Sequence, residues 1–270
     1  MTIRKITLVP YAGLCNRLNA IASALAYKEK YPDIELTILW QKRRHCNCRF
    51  RDLFKQLPSP YTQVKELILQ IKAIPGTRYN LHIPEALRHI FGYDYSFLPG
   101  DSADKFDELT KNKKNVYVYK DNRFCKEILT QSLATVFIPK DDIQCRIDSI
   151  TRDWNGKVIG LHIRRTDNIV SIKESPLAHF LEVINKETAQ DAETRFYLAT
   201  DDEEVKDKIC SLYGDRIITT PLCLERNSLQ GMKDAVVDLY CLGYASKIYG
   251  SAHSTYSTFA AKLFDREIIV

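Results

Sequence analysis

What most constrains this chain is the regular alternation of β-rich and helical segments through its C-terminal half. Residues 157–163, Lys-Val-Ile-Gly-Leu-His-Ile, form the apolar run of a strand buried on both faces. After Pro176, residues Leu177, Phe180, Leu181 and Ile184 recur at i, i+3, i+4 and i+7, the spacing of one helix face. A strand at 195–200 follows. Asp201, Asp202, Glu203 and Glu204 then open a helix carrying Val205, Ile209 and Leu212, with acid in the first turn to oppose the helix dipole. Gly214 ends it, 216–220 reads as a third strand, and a helix runs through Met232, Val236 and Leu239. Strand 247–250, a helix over about 254–264 and a terminal β segment at 267–270 complete the series. Strands joined by helices imply a parallel, doubly wound sheet.

The N-terminal half starts the same way. A strand at 5–9 leads through the loop 12–16 into a helix with Leu18, Ile21, Ala22, Leu25 and Ala26 on one face, then a strand at 35–40. Val64, Leu67, Ile68 and Ile71 predict a further helix, residues 75–99 read as irregular, and 115–119 alternates as a strand should. The expected organisation is two domains, 1–145 and 146–270, with the division within 140–154.

At 270 residues the chain has room for both. Its 45% hydrophobic and 27% charged residues are those of a globular protein. No apolar run reaches the roughly 18 residues of a membrane span, and the N-terminal stretch is too short for a signal-peptide core; a cytoplasmic protein is expected. The net charge of +5 suits a phosphorylated ligand or an anionic polymer without selecting either. The eight cysteines read as reduced thiols. His45, Cys46 and Cys48 lack the second ligand pair of a zinc site, so no metal is expected there.

In open parallel sheets, ligands bind beyond the carboxyl ends of the strands. Those ends carry His162, Arg164, Arg165 and Asp167 in one case, Thr200, Asp201 and Asp202 in another, and Ser251, His253, Ser254 and Thr255 at a helix N-terminus in a third. Two adjacent arginines with a helix N-terminus describe a diphosphate site. A structural ion pair of Arg164 or Arg165 with Asp167 or Asp202 fits the residues equally well. The glycine patterns of a P-loop or of a nicotinamide dinucleotide fold are missing, and so is Asp-x-Asp. Asp201 and Asp202 could hold Mg²⁺, although helix N-terminal charge is the simpler account. The basic segments 41–51 and 111–114 could contact nucleic acid, or could be a solvated face or an acceptor-phosphate site.

Residues 160–167, Gly-Leu-His-Ile-Arg-Arg-Thr-Asp, resemble the first donor-binding motif of the α-1,6-fucosyltransferases, among them the rhizobial NodZ enzymes. Residues 197–202 resemble their second motif, and Asp238 through Ala245 with Ser254 their third. The loop carrying Gly13, Asn16 and Arg17 is similar to the Gly-Leu-Gly-Asn-Arg/Gln loop of related enzymes, with Cys15 in place of a glycine. The resemblance implies a GT-B fold: α/β, two Rossmann-like doubly wound domains facing across a cleft, with the acceptor on 1–145 and the GDP-sugar on 146–270. It implies inverting, metal-independent transfer of fucose from GDP-fucose, or of another GDP-sugar, to a glycan acceptor, with no cofactor. Arg164 would take the β-phosphate and support the leaving GDP. His162 would lie against the nucleotide, Asp238 would read guanine, Ser254 would contact phosphate or the motif loop, and Thr255 would add to the donor site at the helix N-terminus. Arg165 and Asp167 would order the arginine loop. Thr200, Asp201 and Asp202 would line the donor pocket, with Gly13, Asn16 and Arg17 contributing from the N-terminal loop. The glutamate these enzymes carry after Arg-Arg falls here on Ile172; Glu174 and His253 are the candidate bases. The sequence shows no membrane stem ahead of the motifs, so a bacterial, cytoplasmic enzyme is the expectation.

Overall fold

The computed structural model describes residues 3–67, 83, 85–155, 157–166, 169–221, 223, 225 and 227–270. The chain divides into two units, Met1–Ile138 with Arg226–Leu229, and Pro139–Glu225 with Gln230–Val270.

The first unit runs β1 (Lys5–Pro10), α1 (Leu14–Lys30), β2 (Glu35–Trp40), α2 (Phe50–Leu53), β3 (Val64–Glu66), α3 (Glu85–Arg88), β4 (Tyr95–Phe97), α4 (Phe106–Leu109), β5 (Asn115–Lys120) and α5 (Leu133–Val136). Its strands form one sheet in the order β3-β2-β1-β5-β4, every pairing parallel. The second unit runs α6 (Asp141–Thr151), β6 (Val158–Ile163), α7 (Ile169–Glu174), α8 (Leu177–Gln190), β7 (Arg195–Thr200), α9 (Glu203–Tyr213), β8 (Ile217–Ile218), α10 (Leu229–Tyr244), β9 (Lys247–Gly250), α11 (Thr255–Phe264) and β10 (Glu267–Ile269). Its sheet has the order β10-β9-β6-β7-β8, again all parallel.

The second sheet is wound outward from its first strand in two directions; in the first, β2 and β3 step outward from β1 on one side, while on the other the chain forms the edge strand β4 before β5 beside β1. The strand order therefore reverses between β1 and β5 in one unit and between β6 and β9 in the other, the points where such sheets open a ligand crevice. β6 is buried along its whole length, as its unbroken apolar run requires. Helix α8 covers one sheet face with Phe180, Val183 and Ile184, and α9 adds Ile209; all four belong to a core with Leu161, Phe196 and Leu198.

Three expectations change. Val64 is not helical but starts β3, which pairs Val64 with Ile38 and Glu66 with Trp40. Leu67 continues the contact through its amide to Trp40 O, 2.9 Å. The open edge of β2 decides this segment, offering backbone hydrogen bonds that apolar periodicity does not report. Ile68 and Ile71 lie outside the described residues. Within 75–99, Tyr95–Phe97 is not irregular but forms β4 against β5. The third strand of the second unit is only Ile217–Ile218, because a 3-10 turn takes up Gly214–Arg216.

Helices α10 and α11 approach closely at Gly243. A Cβ there would lie 2.7 Å from Phe264 Cδ2 and 2.9 Å from the carbonyl oxygen of Ala260. Alanine gains about 1 kcal/mol of helix propensity over glycine, while overpacking against backbone costs about 1–3 kcal/mol. Gly243→Ala is expected to lower stability in urea unfolding; an unchanged or raised midpoint would show that the helix pair can separate freely.

Candidate functional site

The site of the second unit follows from strand register. β6 pairs His162 with Ala199 and Ile163 with Thr200 on one side, and His162 with Gly250 on the other. The loops that leave these strands therefore begin at one level, on either side of the β6/β9 switch point.

A set of hydrogen bonds fixes them together. Ser251 Oγ donates to His162 O at 3.1 Å and accepts from the Arg164 amide at 3.0 Å. Asp201 accepts the Arg165 amide at 2.7 Å on one oxygen and the Thr166 hydroxyl at 2.6 Å on the other. The Arg165 guanidinium donates to Ser175 O at 2.8 Å and Arg164 O at 3.2 Å, and stacks over Phe180. Burial lowers its pKa, against the pull of Asp201 and Asp202. Arg165 is thus spent on carbonyls, and among the described residues it makes no ion pair with Asp202. Asp202 instead caps α9, its side chain accepting the Val205 amide at 3.0 Å while the Thr200 hydroxyl accepts the Asp202 amide. Asp167 lies outside the described residues.

The β9–α11 turn completes this end of the sheet. Ser254, 4% exposed, caps α11 through Tyr256 N, and Thr255 is the first helical residue. The Ala252 amide donates to Ser175 Oγ. Between them, His253 holds a left-handed backbone, φ 56°, uncommon for a residue with a side chain. Its exposed ring places Nε2 2.9 Å from Glu174 Oε2, so the two candidate bases form one pair.

Asp238 is partly buried and belongs to a tyrosine network, not to the outer face of its helix. Tyr197 OH donates to Asp238 Oδ1 at 2.7 Å, and Tyr256 OH lies 3.3 Å from Oδ2 while donating to Ala235 O at 2.6 Å. The Tyr256 ring stacks on His162 at 5.2 Å. Burial raises the Asp238 carboxyl to about 7, with the two tyrosine hydrogen bonds opposing the rise. Asp234, one turn earlier on α10, instead pairs with Arg146 at 2.7 Å. Tyr256 therefore links His162 to Asp238. Tyr256 was not singled out in the sequence, where nothing links it to a carboxylate on another helix.

Gly13, Asn16 and Arg17 lie in the first unit, at its own β1/β5 switch point. Gly13 has an extended backbone, so the left-handed residue of this loop is Ala12, φ 65°. Arg17 is fully buried, and its Nε donates to Ala12 O at 2.9 Å. Asn16 is partly buried in the first turn of α1. None of the eight cysteines forms a disulfide. Cys46 and Cys48 are buried with their sulfurs 3.9 Å apart, while His45 is exposed. Among the described residues, no three His, Cys, Asp or Glu side chains gather as a metal-binding group, and no helix is long and apolar enough to cross a membrane.

The chain is similar in structure to NodZ α-1,6-fucosyltransferase soaked with GDP-fucose: TM-score 0.64, 19% identity, 97% of this chain and 93% of that one. The fucosyltransferase NodZ from Bradyrhizobium matches equally, over 97% and 94%. A mutant of Arabidopsis thaliana FUT1 in complex with GDP matches at TM-score 0.62 and 15% identity, over 98% of this chain and 69% of that one. No protein-family model and no curated protein matches the sequence. The fold is that of these fucosyltransferases. The GT-B-like α/β class inferred from the motifs stands, with one parallel sheet in each unit.

Asp201 is expected to order the arginine loop. Asp201→Ala removes two acceptors and should cost about 1–3 kcal/mol, and it should speed amide exchange at Arg165 and Thr166. Asp201→Asn, which keeps one carbonyl acceptor, should lie between. Wild-type exchange rates in Asp201→Ala would show that the loop is held by other contacts.

Proposed function

We propose that this protein is a glycosyltransferase that moves fucose from GDP-fucose to a hydroxyl of a glycan acceptor, with inversion and without a metal. The observation that carries the reading is the meeting of Arg164 with the N-terminus of α11 across the β6/β9 switch point, through Ser251. A diphosphate there would face a guanidinium fork and the first amides of a ten-residue helix.

In this mechanism Arg164 and the α11 amides stabilise charge on the departing GDP. Each charge-assisted hydrogen bond contributes about 1.5–3 kcal/mol, and more where it strengthens toward the transition state. The Asp201–Asp202 pair is not needed as a metal cradle, since both carboxylates already accept protein N–H or O–H groups. Inversion requires an acceptor oxygen opposite the leaving group and a base to take its proton. His253, oriented by Glu174, is that base; with Nε2 on the carboxylate, Nδ1 is left for the acceptor hydroxyl. His162 and Tyr256 form a stacked wall beside the nucleotide, and Asp238 accepts the N1–H and exocyclic amine of guanine.

The direct test is a binding panel followed by transfer in EDTA. GDP-fucose and GDP should raise the thermal midpoint, and UDP-galactose should not. GDP-mannose matching GDP-fucose would move the assignment to another GDP-sugar. Arg164→Lys keeps the charge but loses the fork; it should fold, and its kcat should fall at least a hundredfold, about 2.7 kcal/mol. Near-normal turnover would remove Arg164 from the diphosphate.

Asp238 gives the reading a pH signature. Guanine needs the ionised carboxylate, and the free group is raised to about 7. GDP affinity should therefore fall about tenfold per pH unit below 7, and Asp238→Asn should bind more weakly without that slope. Without nucleotide the sign reverses. A folded-state pKa above the unfolded value of about 3.9 means that ionised Asp238 disfavours folding. Stability should fall as pH rises from about 4 to 7, and Asp238→Asn should flatten that fall. A wild-type GDP affinity independent of pH between 5.5 and 8 would place guanine recognition elsewhere.

A further inference from the structure

We propose that the first unit carries an oxyanion site at Arg43, backed by the buried charge of Arg17, and that the acceptor bears an acidic group which binds there. The proposal rests on the transferase reading and names the chemical class of its acceptor.

Residues 41–51 hold five cations, Lys42, Arg43, Arg44, Arg49 and Arg51, and no acid. Lys42, Arg44, Arg49 and Arg51 are exposed, and alone they would be a solvated face. Arg43 and Arg17 are different. Arg17 is fully buried and Arg43 half-buried, and both close on Gln41: Arg17 Nη1 donates to its carbonyl oxygen and Arg43 Nε to its Oε1 at 3.3 Å. The Arg17 guanidinium also lies 4.8 Å from the centre of the Trp40 ring.

Neither guanidinium has a carboxylate partner among the described residues. The Nη2 atom of each is covered by protein and meets no acceptor. Burying one uncompensated cation is costly, and a second beside it adds repulsion. Burial, reinforced by Arg17, pushes the Arg43 pKa down, with Tyr119 opposing. Carbonyl contacts explain how Arg17 ties the Ala12 loop to Gln41. They do not explain two neighbouring positive charges without a counter-ion. A carboxylate, sulfate or phosphate on a ligand that meets the half-buried Arg43 would offset both charges, with Arg17 acting on it from behind. The donor diphosphate has its own cradle at Arg164 and α11, whereas the cations beside Arg43 extend the positive surface along a segment an acidic glycan could follow.

Arg43 is the residue to vary, because Arg17 also holds backbone. The whole protein would be titrated with a glucuronic-acid-containing oligosaccharide, its neutral glucose counterpart, inorganic sulfate and GDP, for wild type, Arg43→Gln and Arg43→Lys. The acidic oligosaccharide should bind at least tenfold more tightly than the neutral one, and salt should weaken it. Arg43→Gln should lose at least tenfold of that affinity and Arg43→Lys less, with GDP affinity within twofold of wild type. Equal binding of acidic and neutral sugars, or an unaffected Arg43→Gln, would overturn the proposal. So would sulfate binding without acidic-sugar binding. A loss of GDP affinity in Arg43→Gln would give the anion to the donor instead. These titrations need no turnover, so failure of the transferase reading would show separately, as wild type that binds no GDP.

Discussion

The hydroxyl of Ser251 sits where two loops of a parallel sheet part, and the geometry at the carboxyl end of the second sheet depends on it. A parallel ladder leaves its last carbonyls and the first amides of the outgoing loops unpaired at the strand ends. Ser251 answers both needs at once, donating to His162 O and accepting from the Arg164 amide. The arginine loop is thereby tied to the turn that starts α11. Had β6 and β9 not been neighbours, the same residues would stand at unrelated places.

Around that tie, charge is used in two ways. Arg165 and Asp201 both bind backbone, and so shape the loop without an exposed ion pair. Asp202 caps a helix. Arg164 takes its backbone position from Ser251. The division explains why two arginines are present: one builds the loop and its neighbour is carried by it. The strained turn at His253 belongs to the same scaffold, since the residues on either side are fixed by Ser175 and by the α11 cap.

Much of the fold was legible in the sequence because strands buried on both faces leave unbroken apolar runs and their helices leave a 3.6-residue period. β6, β7, β9 and α11 were all placed within a residue or two, and the apolar face of α8 was read from Leu177 to Ile184 of a helix that runs on to Gln190. Short edge strands were not. β3 and β4 have three residues each, and their hydrogen bonds come from partners distant in the chain, so no local pattern distinguishes them from loop or helix. The site was legible to a similar depth. Strand-end polar residues marked the region, but the pairing of Glu174 with His253 spans 79 positions and the contact of Tyr256 with Asp238 joins two helices.

By itself, then, the sequence determined that the chain forms parallel α/β layers and that arginines, acids and hydroxyls collect at the strand ends, because burial and hydrogen-bonding capacity are properties of residue type and spacing. Tertiary structure alone decided what those groups do. It turned Asp201 to the loop amides and Asp202 to a helix cap, and it enclosed Asp238 between two tyrosines so that desolvation lifts its carboxyl to about 7. It also buried Arg17 beside Arg43. Each outcome depends on which distant side chain arrives within about 3 Å, a distance set by register and packing and carried by no local run of residues.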